Sequence, residues 1–287
     1  MSPFEYVSPA SVEDAAAALR AAPGEARLLA GGMTLLPAMK HDLAAPSLLV
    51  DLRKITPLRQ IRLEGGELVV GAMATHYEIA TSTQINAFLP VLAQLAGGIG
   101  DVQVRYRGTL GGSIANNDPA ADYPAACLGL GARIETNKRT LNAEEFFCGL
   151  FSTVLEVGEI VTAIRFKPVV KAGYAKFASQ ASRYALVGVF VAQYEDRVRV
   201  SLTGASHDGV QRIPTMEQAL EKQFDSSVLH AHEIPLESLM SDLHASAAYR
   251  SHLIKVMAKR AVDACLGKPG PTVLRHGGRV LFHKELA

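Results

Sequence analysis

Two adjacent-glycine pairs, Gly31-Gly32 and Gly111-Gly112, constrain this chain more than any other feature. Glycine lets the backbone turn sharply and approach a neighbour closely, and a helix start leaves N–H groups unpaired. The first pair closes a short apolar strand, Arg27 to Ala30, and precedes Met33 to Lys40. In that stretch Leu35, Leu36 and Met39 share one helical face, and Pro37 falls in the first turn or so, where a missing N–H is tolerated. A strand that runs through glycines into a helix is an anion-binding arrangement, although a lone Gly-Gly pair serves equally as a plain turn. The pattern is neither the G-x-G-x-x-G dinucleotide fingerprint nor a P-loop, so Rossmann and kinase-like readings are disfavoured.

The second pair lies in the segment Arg107-Gly108-Thr109-Leu110-Gly111-Gly112-Ser113-Ile114-Ala115-Asn116-Asn117-Asp118-Pro119-Ala120-Ala121-Asp122-Tyr123-Pro124. Here the amides of Gly111 and Gly112 and the hydroxyls of Thr109 and Ser113 offer further donors to a diphosphate. Asp122 either accepts hydrogen bonds from ribose hydroxyls or caps a helix. Taken together, the set is better explained by a phosphate-bearing ligand than by turn chemistry alone.

Helical and strand-like stretches alternate along the 287 residues, and 48% of positions are hydrophobic. A mixed α/β or α+β class with two or three sub-domains follows. Residues 11 to 22 read as a helix opened by Ser11-Val12-Glu13-Asp14, a capping box with Asp in place of Glu or Gln. Ser47 to Asp51 and Glu67 to Gly71 read as strands. Thr75 and Ala87 open short helices, the second ending at Gly97-Gly98. Gly100 to Pro124 reads as a long structured loop of the functional kind. A helix near Pro124 to Leu130 and strands near Ala132 to Thr136 and Glu159 to Phe166 follow, and then a boundary at Pro168 to Gly173. Val187 to Gln193 and Arg197 to Thr203 read as antiparallel strands. A mostly helical tail spans Thr215 to Cys265, broken at Pro235 and near His244.

The formal net charge is +1 and the basic residues are scattered, which excludes the electrostatic footprint of a nucleic-acid binder. The N-terminus has no signal-peptide pattern, and the longest apolar run, Ala185 to Ala192, is too short to span a bilayer. A soluble cytoplasmic protein is expected. Cys127, Cys148 and Cys265 form no Cys-x-x-Cys pair, so neither an iron–sulfur cluster nor a zinc site is expected in this chain, and each thiol reads as buried packing. His230 and His232 do not share a helix face, His76 reads as a capping or surface position, and His244 as structural. Glu144-Glu145 reads as a solvated helix face.

Four stretches are recognisable as a set: Ala30-Gly31-Gly32-Met33-Thr34-Leu35-Leu36-Pro37, Thr109 to Pro124, Gly158-Glu159-Ile160-Val161-Thr162-Ala163-Ile164 and Tyr184-Ala185-Leu186-Val187-Gly188-Val189. With Asp242 to Arg250 near the end, they make the chain resemble the FAD-binding medium subunit of the molybdenum hydroxylases. That group includes carbon monoxide dehydrogenase, xanthine dehydrogenase and related heterocycle hydroxylases. The resemblance implies an α+β fold with a PCMH-type FAD-binding domain of two α/β sub-domains in residues 1–172. A C-terminal domain, residues 173–287, would pair a three-stranded antiparallel sheet with a helical bundle.

The resemblance also implies that the two glycine loops together hold the diphosphate of FAD. Leu29, Ala30, Gly31, Gly32, Met33, Thr34 and Leu35 would wrap it, with Ile99 flanking the flavin. Gly108, Thr109, Gly112, Ser113, Asn116 and Asp122 would continue the site. Val161 or its neighbour Ile160 would touch the ring system, Lys176 would sit near the flavin's pyrimidine end, and Tyr184 would shield the isoalloxazine face. Met33 departs from the family, where that position is more often polar. No side chain is expected to be catalytic and none to bind a metal. The expected partners are an iron–sulfur small subunit carrying two [2Fe–2S] clusters and a large subunit carrying the molybdenum cofactor, as a dimer of heterotrimers. Electrons would leave through FAD to NAD⁺, O₂, a quinone or another acceptor. The main rival is a stand-alone flavoenzyme like the reductase of UDP-N-acetylenolpyruvoylglucosamine, but its Gly-x-x-Gly-x-x-Gly-Gly segment followed by Asn-Ala-Gly is not found. A cofactor-free assembly protein is disfavoured by the intact glycines.

Overall fold

The computed structural model describes residues 2–230, 232 and 234–268, and the backbone of a hairpin formed by β13 (Val273–His276) and β14 (Arg279–Phe282). Three sheets organise the rest. The first is parallel, with β1 (Glu5–Val7), β2 (Ala26–Leu29) and β3 (Leu48–Asp51) in the order β1-β3-β2. The second is antiparallel, ordered β4-β5-β8-β6-β7, from β4 (Ile61–Glu64), β5 (Glu67–Gly71), β6 (Arg133–Thr136), β7 (Thr140–Asn142) and β8 (Val161–Phe166). The third is also antiparallel and holds β9 (Lys171–Ala178), β10 (Ala185–Gln193), β11 (Val198–Thr203) and β12 (Gln211–Arg212), ordered β12-β11-β10-β9. It therefore has a two-residue fourth strand beyond the three expected.

Eleven α-helices are seen among the described residues: α1 (Val12–Ala21), α2 (Leu35–Lys40), α3 (His76–Thr81), α4 (Thr83–Phe88), α5 (Pro90–Gly97), α6 (Val102–Arg107), α7 (Leu110–Asn116), α8 (Asp122–Gly129), α9 (Ala143–Phe146), α10 (Pro214–Lys222) and α11 (Ala247–Cys265). Ser11 caps α1 as expected, accepting from the Asp14 amide at 3.1 Å. Ala87 opens no helix: it lies inside α4, which the Ser82 hydroxyl caps, and the helix that ends at Gly97 is α5, with Pro90 in its first turn.

The expected long loop from Gly100 to Pro124 is largely helical. Its polar residues are caps: Asp101 accepts from Val104 N at 2.9 Å, and Thr109 Oγ1 from Gly112 N at 3.1 Å. The helices they open are six and seven residues long, too short for an apolar period to declare itself. β9 likewise starts inside the expected boundary at 168–173.

β10 explains how the third sheet joins the rest. Side chains alternate across a strand, so Val187, Val189 and Val191 pack with α10 and α11, while Phe190 and Ala192 enter the core around α8 and the second sheet. Both faces are buried, and the strand accordingly reads as a continuous apolar run. α8 is the complementary element, buried along its whole length, with the Ala125 carbonyl accepting from Ser201 Oγ of β11 at 2.6 Å. Of the described helices, none is long and apolar enough to cross a membrane.

Candidate functional site

A cavity of about 780 Å³ opens between the first and second sheets, with the turn before β10 at its mouth. Ala30 to Leu35 form its floor, Gly108, Thr109, Gly112, Ser113 and Asn116 one wall, and Ile99, Val161 and Tyr184 part of its rim. Asp122 also lines it. Two residues named from the sequence sit elsewhere. The Leu29 side chain belongs to a core cluster with Leu49 and Met39, because it points to the opposite side of β2. Lys176 lines a smaller recess with Gln94, Leu95, Gly98 and Tyr174, its ammonium being engaged by neighbouring oxygens.

The two glycine pairs play different parts. Gly31 brings the loops together, since a Cβ there would fall on the backbone carbonyl of Arg107. Gly32 has φ +75°, in the left-handed region that favours glycine. The amides of Gly31, Gly32, Met33 and Thr34 have no hydrogen-bond partner among the described residues. At the second pair the amides are already spent, Gly111 N on the Ala72 carbonyl at 2.8 Å and Gly112 N on Thr109 Oγ1 at 3.1 Å. The two pairs therefore differ in how many amides stand open to a ligand. The second pair allows close packing instead, as a Cβ on Gly111 would collide with Ala72.

Asp122 is buried at the start of α8 and makes no side-chain cap. The Lys176 ammonium lies 2.9 and 3.0 Å from its two carboxylate oxygens, and also donates to the carbonyls of Gly98 and Arg183, each at 3.1 Å. Tyr174 donates to Oδ1 at 2.5 Å. Burial raises the Asp122 carboxyl above the usual carboxylate range, and Lys176 and Tyr174 pull it part of the way back. Tyr184 is 42% exposed at the mouth. Its phenol is pushed up by burial and by the charges of Asp118 and Asp122.

Three features of the wall went unread. His76 is neither cap nor surface: Thr75 is the cap, and the imidazole is buried against the cavity with its ring 5.3 Å from Tyr123. Burial, aided by Arg105, lowers its pKa to about 4, so it is neutral at physiological pH. Asn117 and Phe151 adopt φ of 44° and 51°, and each holds the other. The Phe151 amide donates to Asn117 O at 3.0 Å, and Asn117 Nδ2 to the carbonyls of Gly149 and Ser152 at 2.8 and 2.7 Å. Strained residues of this kind cluster at functional sites, and Phe151 stands 60% exposed at the cavity's edge. The one sequence signal was an asparagine ending a short helix, where left-handed backbone is common.

Glu159 is the third. It accepts from Arg139 Nε at 2.9 Å, Thr136 Oγ1 at 2.9 Å and the Glu156 amide at 3.0 Å. Burial alone would raise its pKa, but these donors outweigh it and hold the carboxyl at about 2. A carboxylate with a lowered folded-state pKa stabilises the fold above its unfolded pKa and ceases to as pH falls through the folded one. Glu159→Gln should therefore cost stability at neutral pH, with the deficit shrinking between about pH 5 and pH 2. Thermal melts of both proteins across that range would test it, and a pH-independent deficit would refute it.

Outside the cavity, Cys148 is exposed, unlike the buried Cys127 and part-buried Cys265, so packing does not explain it. Glu144 pairs with Arg199 and Glu145 closes a capping box with Asn142, so neither is merely solvated. His230 Nε2 lies 2.9 Å from the Lys259 ammonium.

A cavity of this volume, lined by four consecutive amides with no hydrogen-bond partner among the described residues, fits a large cofactor carrying a diphosphate. Residues 2–168 match the family described as "FAD binding domain in molybdopterin dehydrogenase". The carbon monoxide dehydrogenase medium chain of Hydrogenophaga pseudoflava is 34% identical over 276 residues, covering 91% of this chain and 96% of that one. The nicotine 6-hydroxylase medium subunit of Paenarthrobacter nicotinovorans is 33% identical over 272 residues, covering 90% and 96%. Among solved structures, quinoline 2-oxidoreductase from Pseudomonas putida 86 superposes with a TM-score of 0.83 at 28% identity, covering 93% of this chain and 98% of that one. The glycine loops that line the cavity thus lie in the part of the chain that matches the FAD-binding domain, and the chain belongs to the FAD-binding medium subunits of the molybdenum hydroxylase family.

Proposed function

We propose that this chain is the electron-exit subunit of a cytoplasmic molybdenum hydroxylase. It would take electrons from [2Fe–2S] clusters of a small partner subunit and pass them to an external acceptor. Residues 1–172 would form the FAD-binding domain and 173–287 a C-terminal domain, in a dimer of heterotrimers with the molybdenum-bearing large subunit. FAD, when bound, supplies a carrier that exchanges electrons singly or in pairs. The observation that carries the reading is the run of open amides from Gly31 to Thr34 at the floor of the cavity.

In this reading those amides hold the diphosphate, while Thr109 and Ser113 add hydroxyls beside it. Asp122 accepts from a cofactor hydroxyl, and Lys176 keeps that carboxylate ionised. Because the Lys176 charge is matched by Asp122, the pair polarises the flavin's surroundings more than it charges them. Neutral His76 adds no charge to the wall. Tyr184 keeps water and oxidants off the flavin face.

Reconstitution tests the assignment. The full-length chain should retain flavin absorption near about 450 nm after FAD is added and excess removed. Co-purification with an iron–sulfur and a molybdenum subunit is expected as well, whereas a lone chain that oxidises substrate unaided would refute the subunit role. Tyr184→Leu should keep FAD bound yet change flavin reoxidation by O₂ or another acceptor severalfold, as shielding is removed without loss of a diphosphate contact. Stopped-flow reoxidation unchanged from wild type would end its role as a shield.

A further inference from the structure

Arg250, near the start of α11, is buried and is not among the residues that line the cofactor cavity. Its Nη1 donates to the carbonyl of Leu186 at 2.7 Å and to that of Gly204 at 2.5 Å, and its Nη2 meets Asp242 Oδ2 at 2.7 Å. Those two carbonyls are ones that the sheet does not satisfy. Leu186 is the extra residue of a bulge, because Ala185 pairs with Ala178 and Val187 with Phe177. Pairing of β10 with β11 starts only at Gly188 and Thr203, so Leu186 and Gly204 both lie past its end.

The same strand ends grip the acidic turn of the cofactor site. The Gly204 amide donates to Pro119 O at 2.7 Å, and the Ala185 amide to Ala120 O at 3.2 Å. The Thr203 hydroxyl lies 2.9 Å from Pro119 O and 2.8 Å from Ala121 O. The residues so held run directly into Asp122, and Ala185 follows Tyr184. Gly204 has φ +83°, and a Cβ there would strike the Ala185 carbonyl, so the two strand ends are in contact where Arg250 joins them.

We infer that Arg250 is a positioning residue for the cofactor site. By tying the bulge of β10 to the end of β11, it fixes the turn that carries Asp122 and the strand start that carries Tyr184. A buried guanidinium is costly, and an apolar side chain would fill the space at less cost. What the guanidinium adds is one charged nitrogen, Nη1, that donates to carbonyls of two strands at once while Asp242 anchors the head through Nη2. The C-terminal unit thereby sets cofactor affinity and flavin potential through a side chain that does not line the cofactor cavity. The inference rests on the reading that Asp122 and Tyr184 face bound FAD.

The test uses the full-length chain and three readouts: the FAD dissociation constant, the flavin midpoint potential and the melting temperature. Arg250→Met should weaken FAD about tenfold, the scale of one charge-assisted hydrogen bond misdirected, and shift the potential. Arg250→Lys should restore most of both. Thr203→Val should act in the same direction, and the double variant with Arg250→Met should be less than additive. Met257→Ala, in the C-terminal core, should lower the melting temperature while leaving affinity and potential unchanged.

Wild-type affinity and potential in Arg250→Met would overturn the inference, as would an equal loss of FAD in Met257→Ala. If Arg250→Met fails to fold, Thr203→Val and Asp242→Asn carry the test, and wild-type values in both overturn it. Asp122→Asn separates the two levels. No effect there removes the reading beneath the inference, and the inference with it. A loss there, with none in Arg250→Met or Thr203→Val, refutes the positioning role alone.

Discussion

Valine at Gly31 is expected to lower FAD affinity by more than about a hundredfold. The added Cβ would meet the backbone carbonyl of Arg107, which cannot swing aside as a side-chain end does. The two loops must then part, and the four open amides from Gly31 to Thr34 move with the first of them. Misdirecting two hydrogen bonds to a charged diphosphate forfeits about 3–6 kcal/mol, and a hundredfold corresponds to about 2.7 kcal/mol. Gly97→Ala serves as the control. It adds a methyl in α5 with only an ordinary contact to Ala80 at 3.8 Å, and should leave FAD binding intact. Flavin absorption after reconstitution and gel filtration distinguishes them. Full FAD occupancy in Gly31→Val would show that the first loop does not hold the cofactor.

Lys176→Met should be the most damaging single change to stability. It leaves Asp122 buried with only Tyr174 as a side-chain partner. Removing one member of a buried ion pair typically costs about 3–5 kcal/mol. The pH dependence has a definite sign. Burial already raises the Asp122 pKa, and loss of Lys176 raises it further. A group whose folded pKa lies above its unfolded value favours the fold at low pH, and that advantage is lost as pH rises through the folded pKa. The deficit of Lys176→Met relative to wild type should therefore be largest at neutral pH and shrink on acidification. Urea titrations at pH 7 and pH 5 measure it, and a deficit that stayed constant or grew on acidification would show that Asp122 ionisation is not its cause.

The site was legible in the sequence wherever it depended on backbone freedom. Gly31 and Gly32 announce a tight approach ahead of a helix, and Thr109 and Asp122 carry groups that a polar ligand can use. What could not be read was how backbone hydrogen bonds are distributed. Two glycine pairs look alike as letters, yet one leaves its amides open and the other donates them to Ala72 and Thr109. That difference arises from β5 and the turn after it, which contact the second loop only in the folded chain. His76 was misread for a similar reason: its burial comes from Gly108 and Tyr123, remote in sequence. The short helices α6 and α7 were hidden because their caps look like turn residues. By contrast, longer elements such as α1 and β10 were read nearly to their ends, the first from its cap and Ala/Leu run and the second from its unbroken apolar run.

α8 has a consequence of another kind. All its residues are buried, with β10 and β11 against it and α5, α7 and α9 packed around it. Neither half of the chain can bury it alone. Its amides should consequently exchange with solvent only through opening of the whole molecule, among the slowest in the protein. Two stretches of sequence that read as separate domains would then melt as one, in a single calorimetric transition.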